Sequence, residues 1–182
     1  MNTLQLIQVM EQDPKSRNRF CGVFAADTLP ATIPQFPCGL IFNSAPHQEK
    51  GTHWLAVYFS SDQEGEFFDS YGNPPDFYRE SFKTFMDDHA KTWKYNHRCL
   101  QSLSSSTCGQ FCLYFIMNRN RGKSLSTIVN SFSKNKSIND HRVSMFVRRY
   151  LKLSKPKNGN KDDHQIAVSF VKNKQEKRKK KQ

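Results

Sequence analysis

The sequence predicts one domain that combines helices with antiparallel strands. Apolar runs at 53–60 and 65–70 flank a short polar turn, which indicates a β-hairpin. Residues 108–119 are apolar on nearly all sides, which indicates a helix buried at the centre of the fold. A chain of 182 residues is long enough for one such domain, which we place at 1–151, followed by a tail at 152–182.

The first half of the chain begins with a predicted amphipathic helix at 3–12, for which Asn2 or Thr3 is the expected N-cap. The stretch at 20–37 is rich in Pro, Gly and Phe, which is typical of an ordered surface loop. A short strand is expected at 39–43, before the hairpin.

The second half is predicted to be mainly helical. Ser and Thr residues at 104–107 are N-cap candidates for the buried helix, and Gly122 is expected to end it. The other expected elements are a helix from Pro75 to about Lys91, a strand over 95–100, and helices near 124–132 and 139–151.

Four residues are the candidates for a chemical role: His53, Asp69, Gln101 and Cys108. They supply an imidazole base, a carboxylate that can orient it, an amide N–H donor and a thiol, which are the parts of a cysteine hydrolase. Each residue alone is more often a plain structural residue. Because the four coincide in this order on elements that can converge, we expect them to form a catalytic site.

The predicted elements explain how these residues meet. His53 opens the first strand of the hairpin and Asp69 nearly closes the second, so both should lie at one end of the sheet. Cys108 begins the buried helix, where unpaired backbone N–H groups and the helix dipole favour a thiolate. Gln101 is expected to donate to an oxyanion alongside the backbone N–H of Cys108.

The five cysteines, without a secretion signal, indicate free thiols rather than a disulfide framework. Cys112 lies one helical turn after Cys108, and we expect it to pack in the core. A zinc site formed by His97, Cys99, Cys108 and Cys112 is an alternative. These spacings do not form paired C-x-x-C units, so no metal site is expected.

The sequence resembles the adenovirus protease family (adenain) and its relatives, the ubiquitin-like-protein-specific proteases. Phe20 to Pro30 is similar to the N-terminal substrate-groove segment of that family. The other similar segments are Thr-His-Trp at 52–54, Asp-Ser-Tyr-Gly at 69–72, the seven-residue step from Gln101 to Cys108, and Cys-Gly-Gln-Phe-Cys at 108–112. The resemblance spans roughly residues 18–150 and is strongest to adenain-type proteases of Polinton/Maverick elements and related DNA viruses.

The resemblance implies an α+β, papain-like fold of the adenain type, with a central helix that carries the nucleophile packed on a mixed β-sheet. It implies a cysteine endopeptidase that cleaves viral or element precursor proteins next to small residues such as Gly during virion maturation. The implied roles are nucleophile for Cys108, base for His53, its carboxylate partner for Asp69 and oxyanion donor for Gln101. We expect substrate contacts at Trp54, Gly109 and Asp27.

Two other functions remain open from the sequence. One is a protease that removes ubiquitin or a ubiquitin-like protein, and the other is a nucleic-acid-binding scaffold with a vestigial site. The chemistry itself requires no cofactor, but the resemblance raises activation by DNA or by a basic peptide joined through a disulfide. Cys99 is the nearest candidate for that linkage, and its position does not clearly match.

The tail carries most of the net positive charge. Of the formal net charge of +12, residues 152–182 contribute +8, from 11 Lys and Arg against 3 Asp and Glu. The last part, 172–182, lacks apolar periodicity, so we expect disorder and, beyond simple solvation, sequence-independent binding to nucleic acid phosphates. With no apolar run long enough to cross a bilayer and no signal-peptide pattern, the expected location is intracellular. The basic tail favours the host nucleus, and the resemblance implies the virion.

Deleting residues 152–182 is therefore expected to weaken DNA binding, because the deletion removes most of the positive charge that contacts phosphates. Fluorescence anisotropy with a labelled duplex at several salt concentrations measures the change. An affinity equal to that of the full chain would contradict a role of the tail in DNA binding.

Overall fold

The structure, a computed structural model, describes residues 1–151, and the predicted tail at 152–182 lies outside the described residues. Within the described part, no helix is both long and apolar enough to span a membrane. The helices are α1 (Thr3–Gln12), α2 (Glu80–His89), α3 (Cys108–Arg119), α4 (Leu125–Asn130) and α5 (Lys136–Leu151), with a 3₁₀ turn at Pro75–Phe77. The strands are β1 (Phe20–Phe24), β2 (Cys38–Asn43), β3 (Trp54–Phe59), β4 (Glu64–Phe68) and β5 (Thr92–Tyr95).

The five strands form one mixed sheet in the order β1-β2-β3-β4-β5. The two outer pairs, β1 with β2 and β4 with β5, are parallel. The central strand β3 is antiparallel to both of its neighbours, β2 and β4. The predicted hairpin is confirmed as β3 and β4, in which Ala56 pairs with Phe68 and Phe59 with Gly65.

Helices cover both faces of this sheet. Alternate residues of β3 point to opposite faces, so Ala56 and Tyr58 join the core shared with α1, α3, α4 and α5. Val57 and Phe59 join a second core with α2. The expected arrangement of a central helix that carries Cys108, packed against a mixed sheet, is therefore confirmed.

The central helix is attached to the sheet by aromatic packing. Phe115 of α3 stacks on Phe68 of β4 with ring centroids 4.6 Å apart, and neither ring is exposed to solvent. The helix ends at Arg119, before the predicted Gly122, which adopts a positive φ of 82° in the turn that follows. The packing and the helix end together set where the first residue of α3, Cys108, lies relative to the sheet.

Several sequence predictions are confirmed at the level of individual residues. Asn2 caps α1 in a reciprocal capping box with Gln5. Val143 and Val147 bury one side of α5, and Leu125 and Ile128 do the same for α4.

Three predicted element boundaries are wrong. The segment 20–37 is not entirely loop, because its apolar start forms the edge strand β1, bulged at Gly22. The strand expected over 95–100 lies earlier, at Thr92–Tyr95, where it pairs with β4. The helix expected from Pro75 to Lys91 is broken at Arg79, which is extended with φ −158° and ψ 139°.

The prediction that all five cysteines are free is also wrong, since Cys21 and Cys38 form a disulfide. These residues lie on the neighbouring parallel strands β1 and β2, with Cα atoms 6.1 Å apart. The number of cysteines could not reveal this pair. The pairing depends on β1 lying beside β2, and the sequence predicts loop at β1. Cys99, Cys108 and Cys112 are free thiols.

Replacing Phe115 by Ala is expected to lower the free energy of unfolding by about 3–5 kcal/mol, since it removes a fully buried ring and leaves a cavity against Phe68. Phe77→Ala is the control, because the Phe77 side chain is 65% exposed. Urea unfolding followed by tryptophan fluorescence measures both changes. Equal losses for the two variants would contradict the packing described here.

Candidate active site

The β-hairpin brings His53 and Asp69 together. His53 directly precedes β3 and Asp69 directly follows β4, so the antiparallel pairing places both at one end of the sheet. The two atoms His53 Nε2 and Asp69 Oδ1 are 2.7 Å apart, and both side chains are buried. The pair is therefore a short, desolvated hydrogen bond in which the imidazole N–H donates to the carboxylate.

Asp69 is surrounded by further hydrogen-bond donors. Its carboxylate accepts from the backbone N–H groups of Tyr71 and Asn73, each at 3.0 Å, and from the Tyr78 hydroxyl at 2.9 Å. Burial favours the neutral acid, but the hydrogen bond and charge of His53, with the two backbone donors, hold the pKa of Asp69 below its ordinary value. A buried anion is thus retained beside the imidazole.

The chain around Asp69 is held in place by a tight turn and an amide clamp. Gly72 has φ 82°, and a Cβ there would lie 2.7 Å from the backbone carbon of Arg98. Asn96 bonds to the Asp69 backbone twice, accepting from its N–H at 2.9 Å and donating to its C=O at 2.6 Å. These contacts set the position of the carboxylate relative to β3.

Two tyrosine rings enclose the imidazole of His53. Tyr71 stacks on it with centroids 4.9 Å apart, and Tyr78 stacks on it at 5.5 Å. The negative π faces of the tyrosines favour a positively charged ring. Burial and the neighbouring Asp69 carboxylate raise the pKa of the Tyr78 hydroxyl, which keeps it protonated as a donor to Asp69.

Cys108 is the first residue of α3, at the start of the buried helix. Burial opposes ionisation of its thiol, but interactions with the His53 side chain and with the backbone N–H groups of Trp54 and Gly109 lower the pKa of the thiol below its ordinary value.

The pKa of His53 shifts in the opposite direction. Burial alone would lower it, but hydrogen bonds and charge interactions with Asp69 and Cys108 raise it to about 9. A thiol with a lowered pKa beside an imidazole with a raised pKa favours the thiolate–imidazolium pair at neutral pH. Such a pair can attack a carbonyl carbon with the sulfur and then protonate a leaving group with the imidazolium.

Gln101 is buried, and both ends of its amide are anchored. Its Oε1 accepts from the Ser70 hydroxyl at 2.7 Å, and its Nε2 donates to the Ser105 carbonyl at 2.8 Å. An amide nitrogen carries two N–H groups, and the Ser105 bond uses one of them. Ser105 lies three residues before Cys108, so the amide is tied to the loop that carries the thiol.

The three predicted substrate-contact residues, Trp54, Gly109 and Asp27, have identifiable neighbours in the structure. Trp54 donates from its indole N–H to the Met1 carbonyl at 3.0 Å, and its ring lies against Gly109, where a Cβ would be 3.2 Å from the Trp54 Cδ1. Asp27 accepts from the backbone N–H of His47 at 2.9 Å and also contacts the His47 ring.

Among residues 1–151, no group of three or more His, Cys, Asp or Glu side chains is arranged to hold an ion. Cys112 is fully buried in the core beneath Cys108, and burial raises the pKa of its thiol. The ring of His97 packs on that of Tyr95, with centroids 4.0 Å apart.

Sequence reasoning missed three residues that hold the site together: Tyr78, Asn96 and Ser70. The sequence predicts a continuous helix at Tyr78, but Pro74 and Pro75 mark the irregular backbone that lets its hydroxyl reach Asp69. Asn96 and Ser70 carry no local signal, because their partners are distant in sequence.

No known protein-family model matches this sequence, and no curated protein matches it. Among solved structures, the chain is similar to the central domain of the uncharacterized Lpg1148 protein from Legionella pneumophila, with a TM-score of 0.48 and 14% identity over 82% of this chain and 98% of that one. It is also similar to ChlaDub1 from Chlamydia trachomatis, with a TM-score of 0.45 and 15% identity over 86% of this chain and 83% of that one. Both similarities are distant.

At pH 6, Cys108 is expected to react with iodoacetamide faster than Cys99, which is also a half-buried free thiol. The expectation follows because a thiol at its ordinary pKa of about 8.5 is almost wholly protonated at that pH. In His53→Ala the advantage should disappear, since burial without the imidazole raises the pKa of Cys108. Labelling located by mass spectrometry measures each rate.

The pH profile and a control variant complete this experiment. As pH rises through about 9, His53 loses its proton and an ordinary thiol, with a pKa of about 8.5, ionises as well, so the advantage of Cys108 should shrink. His141→Ala is the control, because His141 is exposed on α5. If Cys108 and Cys99 label at one rate at pH 6 in the wild type, the thiolate–imidazolium pair does not form.

Proposed function

We propose that this protein is a cysteine endopeptidase of the papain-like type. The observation that carries the proposal is the buried 2.7 Å hydrogen bond between Asp69 and His53, beside a Cys108 thiol whose pKa His53 lowers. Nucleophile, base and orienting carboxylate thus have the distinct protonation states that this chemistry requires. The nucleophile also stands at the N-terminus of a buried helix, where backbone N–H groups stabilise negative charge.

The proposed reaction begins when the Cys108 thiolate adds to the carbonyl carbon of a peptide bond. The carbonyl oxygen becomes an oxyanion, for which the backbone N–H of Cys108 and the second N–H of Gln101 Nε2 are the donors. The His53 imidazolium then protonates the leaving amine as the C–N bond breaks, which leaves a thioester on Cys108. Water, deprotonated by neutral His53, hydrolyses the thioester and restores the thiolate.

The proposed substrates are precursor proteins cleaved next to small residues such as Gly, during maturation of a virion. This part rests on the adenain-like segments at 52–54, 69–72 and 108–112. It is supported sterically by two aromatic rings at the site: Tyr71 lies on the imidazole, and Trp54 lies against Gly109, next to the nucleophile.

Peptide cleavage tests the proposal. The full chain is incubated with a mixture of unstructured peptides that contain Gly-Gly and other small-residue steps, and products are identified by mass spectrometry. We expect cleavage after Gly by the wild type and none by Cys108→Ala. Cleavage of folded ubiquitin-like conjugates in place of peptides would support the deubiquitinating alternative, and absence of both activities would contradict the proposal.

The oxyanion role of Gln101 predicts a specific kinetic effect. Gln101→Glu keeps the shape of the side chain but replaces the N–H donor by a carboxylate oxygen, so kcat should fall by about 10²–10³ with little change in KM. Gln63→Glu makes the same chemical change at an exposed turn and should keep full activity. An unchanged kcat in Gln101→Glu would contradict the assignment.

A further inference from the structure

The loop at 102–107, between Gln101 and α3, is held in place without apolar packing. Five of its six residues are Ser or Thr, and the sixth, Leu103, is 85% exposed. At its start, the backbone N–H groups of Leu100 and Gln101 donate to the Ser70 carbonyl. The rest of this polar loop, which ends at Cys108, therefore depends on hydrogen bonds for its conformation.

One buried carboxylate supplies those bonds. Asp140 of α5 is only 9% exposed, and it accepts from the backbone N–H of Ser102 at 3.3 Å and from the Ser102 hydroxyl. Its other oxygen accepts from the Ser105 hydroxyl at 3.0 Å and from the Thr107 hydroxyl at 2.7 Å. A carboxylate has enough lone pairs to accept four bonds at once, which no neutral side chain of its size can do.

Two of these bonds, to Ser105 and Thr107, affect the positions of the two proposed oxyanion donors. The carbonyl of Ser105 accepts from Gln101 Nε2, so the anchor on Ser105 sets the direction of the Gln101 amide. Thr107 is the residue before Cys108, so its anchor sets the backbone N–H of Cys108.

The anchor on Thr107 has a second effect at the start of α3. Thr107 stands at the N-cap position, where its hydroxyl would ordinarily accept from a backbone N–H of the first turn. That hydroxyl donates to Asp140 instead and caps nothing. The backbone N–H of Gly109 can therefore serve the Cys108 sulfur.

Asp140 itself is held by a rigid element. The following residues Val143 and Val147 are buried in the core shared with α3. The neighbouring Asn139 donates to the Leu100 carbonyl at 3.0 Å and so fixes the other end of the loop.

We propose that Asp140 is a positioning residue for the oxyanion site: its carboxylate holds the 102–107 loop, and the loop aims the amide of Gln101 and the backbone N–H of Cys108 at one point. This inference rests on the proposed peptidase function. Asp140 does not touch the reacting atoms, and it acts through Ser105 and Thr107.

The test separates oxyanion binding from thiol reactivity with two probes. Acetyl-glycyl-glycinal is a peptide aldehyde: the thiolate sulfur forms a bond to the aldehyde carbon, the C=O π bond breaks, and its electron pair stays on the oxygen as an oxyanion, while His53 remains protonated. Iodoacetamide only transfers its carbon to the sulfur with loss of iodide, so no oxyanion forms. Protection of Cys108 from iodoacetamide by increasing aldehyde gives the aldehyde affinity.

In Asp140→Asn we expect aldehyde affinity to fall by about tenfold or more, because the oxyanion donors lose their alignment. The rate of Cys108 alkylation should fall much less, since His53 still lowers the pKa of the thiol. Asp88→Asn makes the same chemical change at an exposed position of α2 and should behave as wild type in both assays. Asp140→Glu, which keeps the charge, should recover part of the affinity.

Two results would overturn the inference: aldehyde affinity equal to wild type in Asp140→Asn, or an equal loss of aldehyde affinity and alkylation rate, as general loosening produces. If Asp140→Asn unfolds, seen as labelling of the buried Cys112, Ser105→Ala and Thr107→Val decide instead. Each removes one bond to Asp140 and should show the same selective loss of aldehyde affinity. Unchanged affinity in both variants contradicts the inference.

Failure of the proposed function would look different, because the wild type itself would then show no reactive Cys108 and no protection by the aldehyde.

Discussion

The burial of the Asp69 carboxylate is the constraint on which the site depends. A charged group removed from water must be compensated by hydrogen bonds, and Asp69 receives them from His53, Tyr78 and two backbone N–H groups of its own turn. This requirement shapes the surrounding chain. It explains the turn at Gly72 and the break in the helical region at Arg79, which places Tyr78 beside Asp69.

The same carboxylate determines the electrostatics of the neighbouring residues. It stabilises positive charge on His53, and the imidazolium in turn stabilises negative charge on Cys108, which burial alone would neutralise. The two tyrosine rings that stack on the imidazole limit its rotation. Asp69, His53 and Cys108 therefore combine charge stabilisation with fixed geometry.

The nucleophile side of the site is organised by a second buried carboxylate, Asp140. Asp69 orients the base through β3 and β4, whereas Asp140 holds the loop before Cys108 from α5. Ser70 links the two parts, because its backbone follows Asp69 directly and its hydroxyl binds Gln101. The sheet and the helical layer thus meet at the proposed oxyanion donors.

The sequence by itself determined the hairpin, the buried helix α3, the cap of α1, and the juxtaposition of His53 and Asp69, because these follow from local periodicity and from antiparallel connectivity. Only the tertiary structure decided the edge strand β1, the position of β5, and the pairing of Cys21 with Cys38. It also decided which residues complete the site, since Asn96 lies 27 residues from Asp69 and Asp140 lies 33 from Thr107. The physical reason is that periodicity records which face of an element is buried, whereas a polar contact between distant segments depends on how those elements pack together.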